Sequence, residues 1–111
     1  MEKYIQVITT TAKKEDAAKI AAALIEKRLA ACVQIVGPVQ STYRWQGKIE
    51  QAEEWQCQIK SRQDLYGELE QAIKAIHPYE VPEIIALPIT ACGADYGEWL
   101  QDELQGSTNF Y

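Results

Sequence analysis

The residue types best suited to chemistry gather in one stretch, His77-Pro78-Tyr79-Glu80-Val81-Pro82-Glu83. It holds the sole histidine of the chain, a phenol and two carboxylates, stiffened by two prolines. Imidazole nitrogen suits copper and zinc, so His77 is a candidate metal ligand. The competing reading is structural. A histidine at a helix end interacts favourably with the last carbonyls, and a residue before proline leaves helical geometry. Glu80 and Glu83 flank Val81-Pro82 and can ligate a metal or accept hydrogen bonds from a small ligand. Solvated charges, or ion pairs to Lys48 and Arg44, are the alternative for them. One histidine per chain cannot close a metal site alone. Three chains, Cys32 or a nearby carboxylate would have to complete it.

Cys32, Cys57 and Cys92 are odd in number, far apart and without a Cys-x-x-Cys pair. That pattern reads as reduced thiols rather than a disulfide framework or zinc site. Cys32 stands between a helix and a strand, and is either a core thiol or a second metal ligand. Cys57 alternates with Trp55 and Ile59, which places it in a core or interface. Cys92 precedes Gly93 near the end of the chain and is expected to be exposed. Neither a phosphate-binding glycine loop, a Gly-x-Ser-x-Gly elbow nor a His-Glu-x-x-His pair occurs. With His77 as the only base for Ser41, Ser61 or Ser107, no triad spacing exists. The expectation is a protein that is not an enzyme.

The elements that must position these groups follow from periodicity. Tyr4 to Thr10 alternates as a strand, and Lys14 to Ala30 carries Ala17, Ile20, Leu24 and Arg28 at helical spacing. Cys32 to Val36 is β-branched, Gly37-Pro38 interrupts it, and Gln40 to Trp45 meets Gln46-Gly47 before returning through Lys48-Ile49-Glu50. A two-residue connection ending in Gly between extended arms reads as a hairpin. Asp64 is a candidate N-cap for a helix carrying Leu65, Leu69, Ala72, Ile73 and Ile76. A strand at Ile84–Leu87 and a short helix from Tyr96 to Leu104 follow. The order βαββαβ plus a C-terminal helix predicts an α+β, ferredoxin-like sandwich, with both main helices on one face of an antiparallel sheet. The chain is one domain over 1–111, ordered over about 3–105, with a frayed tail at 106–111.

Two geometric expectations concern the hairpin. With Gln46-Gly47 as the turn, Trp45 opposes Lys48 and Tyr43 opposes Glu50, so all four share one face. They form one wall of an inter-subunit pocket, or Lys48 simply lies over Trp45 as a cation–π pair. Continued unchanged, the register would set Ile35 against Gln58, mismatching apolar faces; one bulge near Gly37-Pro38 restores the match. Each arm runs about 14 residues, roughly 45 Å at ~3.3 Å per residue. The helices span only about 20–25 Å. A ribbon left so bare is marginal in water, and oligomerisation is the economical cover. A hairpin folded back over its own sheet is the alternative.

Net charge of −5 and a pI near 4.8 argue against nucleic-acid binding. The N-terminus shows neither a signal-peptide core nor a membrane-length apolar run, so the expected location is cytoplasmic, with no membrane partner. Six Tyr and three Trp against one Phe favour half-buried sites or surfaces covered by a partner.

Three segments together carry a family likeness: Ala30-Ala31-Cys32-Val33, Tyr43-Arg44-Trp45-Gln46-Gly47-Lys48-Ile49-Glu50, and the His77–Glu83 link. In order and in register over residues 4 to 104, they closely resemble the CutA divalent-cation tolerance family. The resemblance implies a ferredoxin-like homotrimer of PII-like architecture, cytoplasmic and linked to tolerance of copper and other divalent metals. It implies copper or another divalent metal as cofactor. Family copper binding is associated with a first-strand Cys, here Thr9, and with paired histidines, here Ile76 and His77. His77 and Cys32 are the ligand candidates that carry over. Tyr43, Trp45, Lys48, Glu50, Tyr79, Glu80 and Glu83 are the candidates for the inter-subunit pocket. The implied function is a trimeric metal-binding or metal-responsive tolerance protein. The alternative is a PII-like signalling module that binds a small anionic ligand or a partner protein between subunits.

Overall fold

The computed structural model describes residues 4–106. Its elements are β1 (Tyr4–Thr11), α1 (Lys14–Glu26), β2 (Cys32–Trp45), β3 (Lys48–Arg62), a 3-10 turn at Gln63–Leu65, α2 (Tyr66–Ile76), β4 (Ile84–Pro88) and α3 (Ala94–Glu103). The strands form one antiparallel sheet in the order β2-β3-β1-β4. Ile5 and Val7 of β1 and Cys57 and Ile59 of β3 point to one side. They meet Ala17, Ile20 and Leu24 of α1 and Leu69 and Ile73 of α2 in a single core. Alternation along the strands and 3.6-residue spacing along the helices select those residues.

The hairpin forms as its sequence requires. Gln46 and Gly47 both adopt positive φ, 50° and 81°, the backbone that matches a two-residue turn to strand twist. Trp45 pairs with Lys48 and Tyr43 with Glu50. The bulge lies between Val36 and Val39, and it brings Ile35 opposite Cys57 instead of Gln58. At Gly37 a Cβ would meet the Trp55 ring at 2.8 Å and the Glu54 carbonyl oxygen at 3.1 Å, so only glycine fits beneath that ring. Beyond the bulge the ribbon projects outward rather than folding over its own sheet. The molecule measures 53 × 26 × 21 Å with a radius of gyration of 14.9 Å, against about 13 Å for an ordinary 100-residue domain.

Several boundaries differ from the sequence expectation. α1 ends at Glu26 rather than Ala30, because Arg28 turns into the left-handed region at φ 57° and Leu29 N–H returns to the Leu24 carbonyl. Arg28 is thereby freed to donate to the Glu103 and Asp102 carbonyls at the end of α3, at 2.9 and 2.7 Å. Asp64 caps no helix; it pairs with Arg62 at 2.6 Å while the 3-10 turn leads into α2. α3 starts two residues before the expected Tyr96. The cation–π pair is Lys14 over Trp55, at 5.3 Å from the ring centroid, rather than Lys48 over Trp45. Residue 3 and most of the tail expected to fray, 107–111, lie outside the described residues.

Candidate functional site

The link between α2 and β4 begins where Pro78 forces His77 out of helical geometry, at φ −72° and ψ 133°. The His77 N–H still closes the last turn on the Ile73 carbonyl at 2.9 Å, while its ring turns inward and is 9% exposed. Both ring nitrogens are engaged. The Tyr79 backbone N–H donates to Nδ1 at 3.1 Å. A peptide N–H can only donate, so Nδ1 accepts and the ring proton sits on Nε2. Nε2 in turn donates to the Thr10 carbonyl at 2.9 Å. The ring also packs tilted against Tyr79, centroid to centroid 4.8 Å. His77 is a clasp between the link and the end of β1, and it presents no free lone pair to a metal.

Tyr79 carries the link onto the ribbon. Its hydroxyl donates to Glu54 Oε2 at 2.7 Å, and the Ser41 hydroxyl donates to Oε1 at 2.7 Å. Burial, and then the hydrogen bond to Glu54 and its charge, push the Tyr79 phenol well above the usual tyrosine range, so it stays a donor. Glu54 is 7% exposed. Its carboxylate is held by two neutral hydroxyls and by no cation among the described residues.

Between the link and the ribbon lies an open cleft of about 600 Å³. The aromatic residues Tyr43, Trp45 and Tyr79 and the acidic residues Glu54, Glu80 and Glu83 line it. Thr10, Ser41, Thr42 and Val81 complete the wall, which among the described residues contains no Lys, Arg or His. Five of the seven expected pocket residues are thus brought together within one chain. Lys48 and Glu50 are not: they pair with Trp45 and Tyr43 on the same ribbon face but are exposed and stand outside the cleft. Nor are Glu80 and Glu83 ion-paired with Lys48 or Arg44 among the described residues. Glu54 and Thr10 were not singled out from sequence, and Ser41 was weighed only as a triad serine. The available signal was alternation, since the hairpin register running from the turn puts Glu54 on the face of Ser41, Tyr43 and Trp45.

The two expected metal ligands do not converge. His77 reaches Thr10, whose β3 partner is Gln56, whereas Cys32 pairs with Lys60. Four positions along a strand separate them by roughly 13 Å. Cys32 is half-buried at the other end of β2, near α3, where burial and then the thiols of Cys32 and Cys92 push the Tyr96 phenol up. Among the described residues, no group of three or more His, Cys, Asp or Glu side chains is placed to hold one ion. A resident metal on His77 and Cys32 therefore does not fit this chain. Cys57 is a core thiol, fully buried, donating to the Ala17 carbonyl at 3.6 Å and pushed up from 9.0 to about 11 by burial. Cys92 is exposed.

Residues 5–103 match the family model described as CutA1 divalent ion tolerance protein. The chain belongs to the CutA1 family. The divalent-cation tolerance protein CutA of Thermus thermophilus is 44% identical over 96 residues, covering 86% of this chain and 93% of that protein. The chloroplastic CutA of Arabidopsis thaliana is 42% identical over 98 residues, 88% of this chain but only 54% of that protein. The chain thus spans about half the length of the plant relative. Among solved structures, CutA1 from Oryza sativa superposes with a TM-score of 0.91 at 40% identity, covering 95% of this chain and 96% of that one. The CutA1 architecture is the α+β, ferredoxin-like sheet with helices described above. Among the described residues no helix is long and apolar enough to cross a membrane.

Proposed function

We propose that this CutA1 chain works in divalent-cation tolerance as a non-catalytic, homotrimeric, metal-responsive module in the cytoplasm. The observation that carries this reading is the arrangement of the cleft. The projecting ribbon and the clasped link hold aromatic and acidic groups against each other and leave one side open to a neighbouring chain. The exposed Ile49, at 68%, and Val36, Ile85 and Leu87, at 42–46%, supply apolar surface for such a neighbour. The absence of catalysis is supported by His77, the sole histidine, whose ring nitrogens are both committed to backbone partners. Three unpaired thiols suit a reducing compartment.

The response is assigned to the cleft rather than to a copper ion on His77 and Cys32. An anionic ligand is disfavoured there, because three acidic residues line it and, among the described residues, no basic one does. The test is growth of a strain lacking this gene in graded copper, complemented with wild type, His77→Asn and Trp45→Ala. Rescue by wild type and His77→Asn, but not by Trp45→Ala, is expected. Rescue by Trp45→Ala with failure of His77→Asn would return the function to the histidine.

A further inference from the structure

We propose that the cleft is a binding site for a linear organic polyammonium ion, a small aliphatic chain carrying two or more protonated amines. The inference rests on the reading of the cleft as the responsive site, and it names the ligand class. Three features of the cleft converge on it.

The first is the buried carboxylate at its floor. Glu54 is buried, yet among the described residues the groups that meet its carboxylate are the Ser41 and Tyr79 hydroxyls. A buried carboxylate ordinarily sits against a cation, because hydroxyl hydrogen bonds leave its charge uncompensated. Here the compensating cation has to come from outside the lining. The second feature is the pair of carboxylates at the mouth, Glu80 and Glu83, both exposed. They place further negative charge along the cleft, so a ligand with separated positive charges meets a counter-charge at each.

The third feature selects the kind of cation. Three aromatic residues, Tyr43, Trp45 and Tyr79, line the same space. Ring faces attract ammonium groups and cover methylenes, but they supply no ligand atom to a hydrated divalent metal. Carboxylates accept hydrogen bonds from N–H donors, which primary and secondary amines carry and quaternary ammonium lacks. From Ser41 to Trp45 the wall runs four residues, about 13 Å at ~3.3 Å per residue. That length accommodates two or three amines spaced by three- or four-carbon links.

The probe is spermidine, titrated calorimetrically into the full chain at low and moderate salt, with magnesium chloride and inorganic phosphate as controls. Saturable binding of one spermidine per chain is expected, at least tenfold tighter than magnesium and weakened by salt, with no phosphate binding. Glu54→Gln still accepts from one of the two hydroxyls and removes the charge, and it is expected to weaken spermidine at least tenfold. If that variant fails to fold, Glu80→Gln/Glu83→Gln, altered only at exposed positions, is expected to weaken it several-fold, and Trp45→Ala likewise. Spermidine binding no tighter than magnesium, or unchanged in these variants, overturns the proposal. So does a cleft filled by a second copy of the chain, seen as no binding by the trimer. Loss of spermidine binding with an intact copper response defeats this inference alone. A lost copper response with spermidine binding retained defeats the tolerance reading and leaves the ligand class standing.

Discussion

Tyr79 and Glu54 are joined by a 2.7 Å hydrogen bond across 25 residues of sequence, and that bond fastens the α2–β4 link to the base of the ribbon. Each half of the cleft is held in place by the other. Removing the hydroxyl leaves a buried carboxylate with Ser41 as its remaining donor. Tyr79→Phe is expected to lower stability by about 1.5–3 kcal/mol, the range for hydrogen bonds to charged groups. Glu54→Gln, which retains hydrogen-bonding capacity, is expected to cost less. Urea unfolding midpoints compare the two, and an unaltered midpoint in Tyr79→Phe would show that the link does not depend on this bond.

His77 is predicted to matter for stability and not for metal. His77→Ala removes an acceptor for the Tyr79 N–H and a donor to the Thr10 carbonyl, two bonds worth ~1–3 kcal/mol together. Asparagine can still accept from the Tyr79 N–H and should recover part of the loss. Cu(II) EPR spectra of wild type and His77→Ala should superimpose. A nitrogen hyperfine pattern present only in wild type would contradict the clasp.

Burial of Cys57 makes stability fall in alkali. The thiol is pushed from 9.0 to about 11 in the native state, so the unfolded chain releases this proton first. Above a pH near 9 the unfolded state binds fewer protons than the native one. Stability then declines until the native thiol itself ionises near 11. Two pH units correspond to at most ~2–3 kcal/mol. Tyrosines whose phenols are pushed up add a loss of the same sign at higher pH, so the difference between wild type and Cys57→Val over pH 8.5 to 10 is the informative quantity. Parallel melting curves for both proteins across that range would refute the effect.

Gly37→Ala tests the bulge. Its Cβ would fall 2.8 Å from the Trp55 ring and 3.1 Å from the Glu54 backbone, and the backbone cannot swing aside as a flexible side chain would. Overpacking of this kind costs about 1–3 kcal/mol. Because the bulge sets the faces of Ser41, Tyr43 and Trp45, altered Trp fluorescence should accompany the loss.

Light scattering after gel filtration tests assembly. A mass of three chains is expected rather than the 12.5 kDa of one. A monomer would leave the ribbon without its cover and remove the basis of the trimeric reading.

The fold was legible because each element follows from local rules. Alternation at Ile5, Val7 and Thr9, helical spacing at Ala17, Ile20 and Leu24, and the Gln46-Gly47 turn together dictate βαββαβ and a hairpin with Trp45 opposite Lys48. Even the bulge could be read, since without it Ile35 would lose its apolar partner. The helix ends were less legible. Arg28 carries no local signal for positive φ, and it adopts that backbone because α3, 75 residues later, accepts its side chain.

The candidate site divides along the same line. Sequence alone determined that Tyr43, Trp45, Tyr79, Glu80 and Glu83 were the groups to watch, and that His77 stood at a helix end before proline. Only the tertiary structure decided what each does. His77 became a clasp because Thr10 and Tyr79 converge on its two nitrogens. Cys32 fell away from it because strand register holds them four positions apart. Glu54, one polar residue in an alternating strand, became the floor of the cleft because the link folds across it. Periodicity reports which face a side chain takes, whereas partners distant in sequence are set by how the faces close on one another.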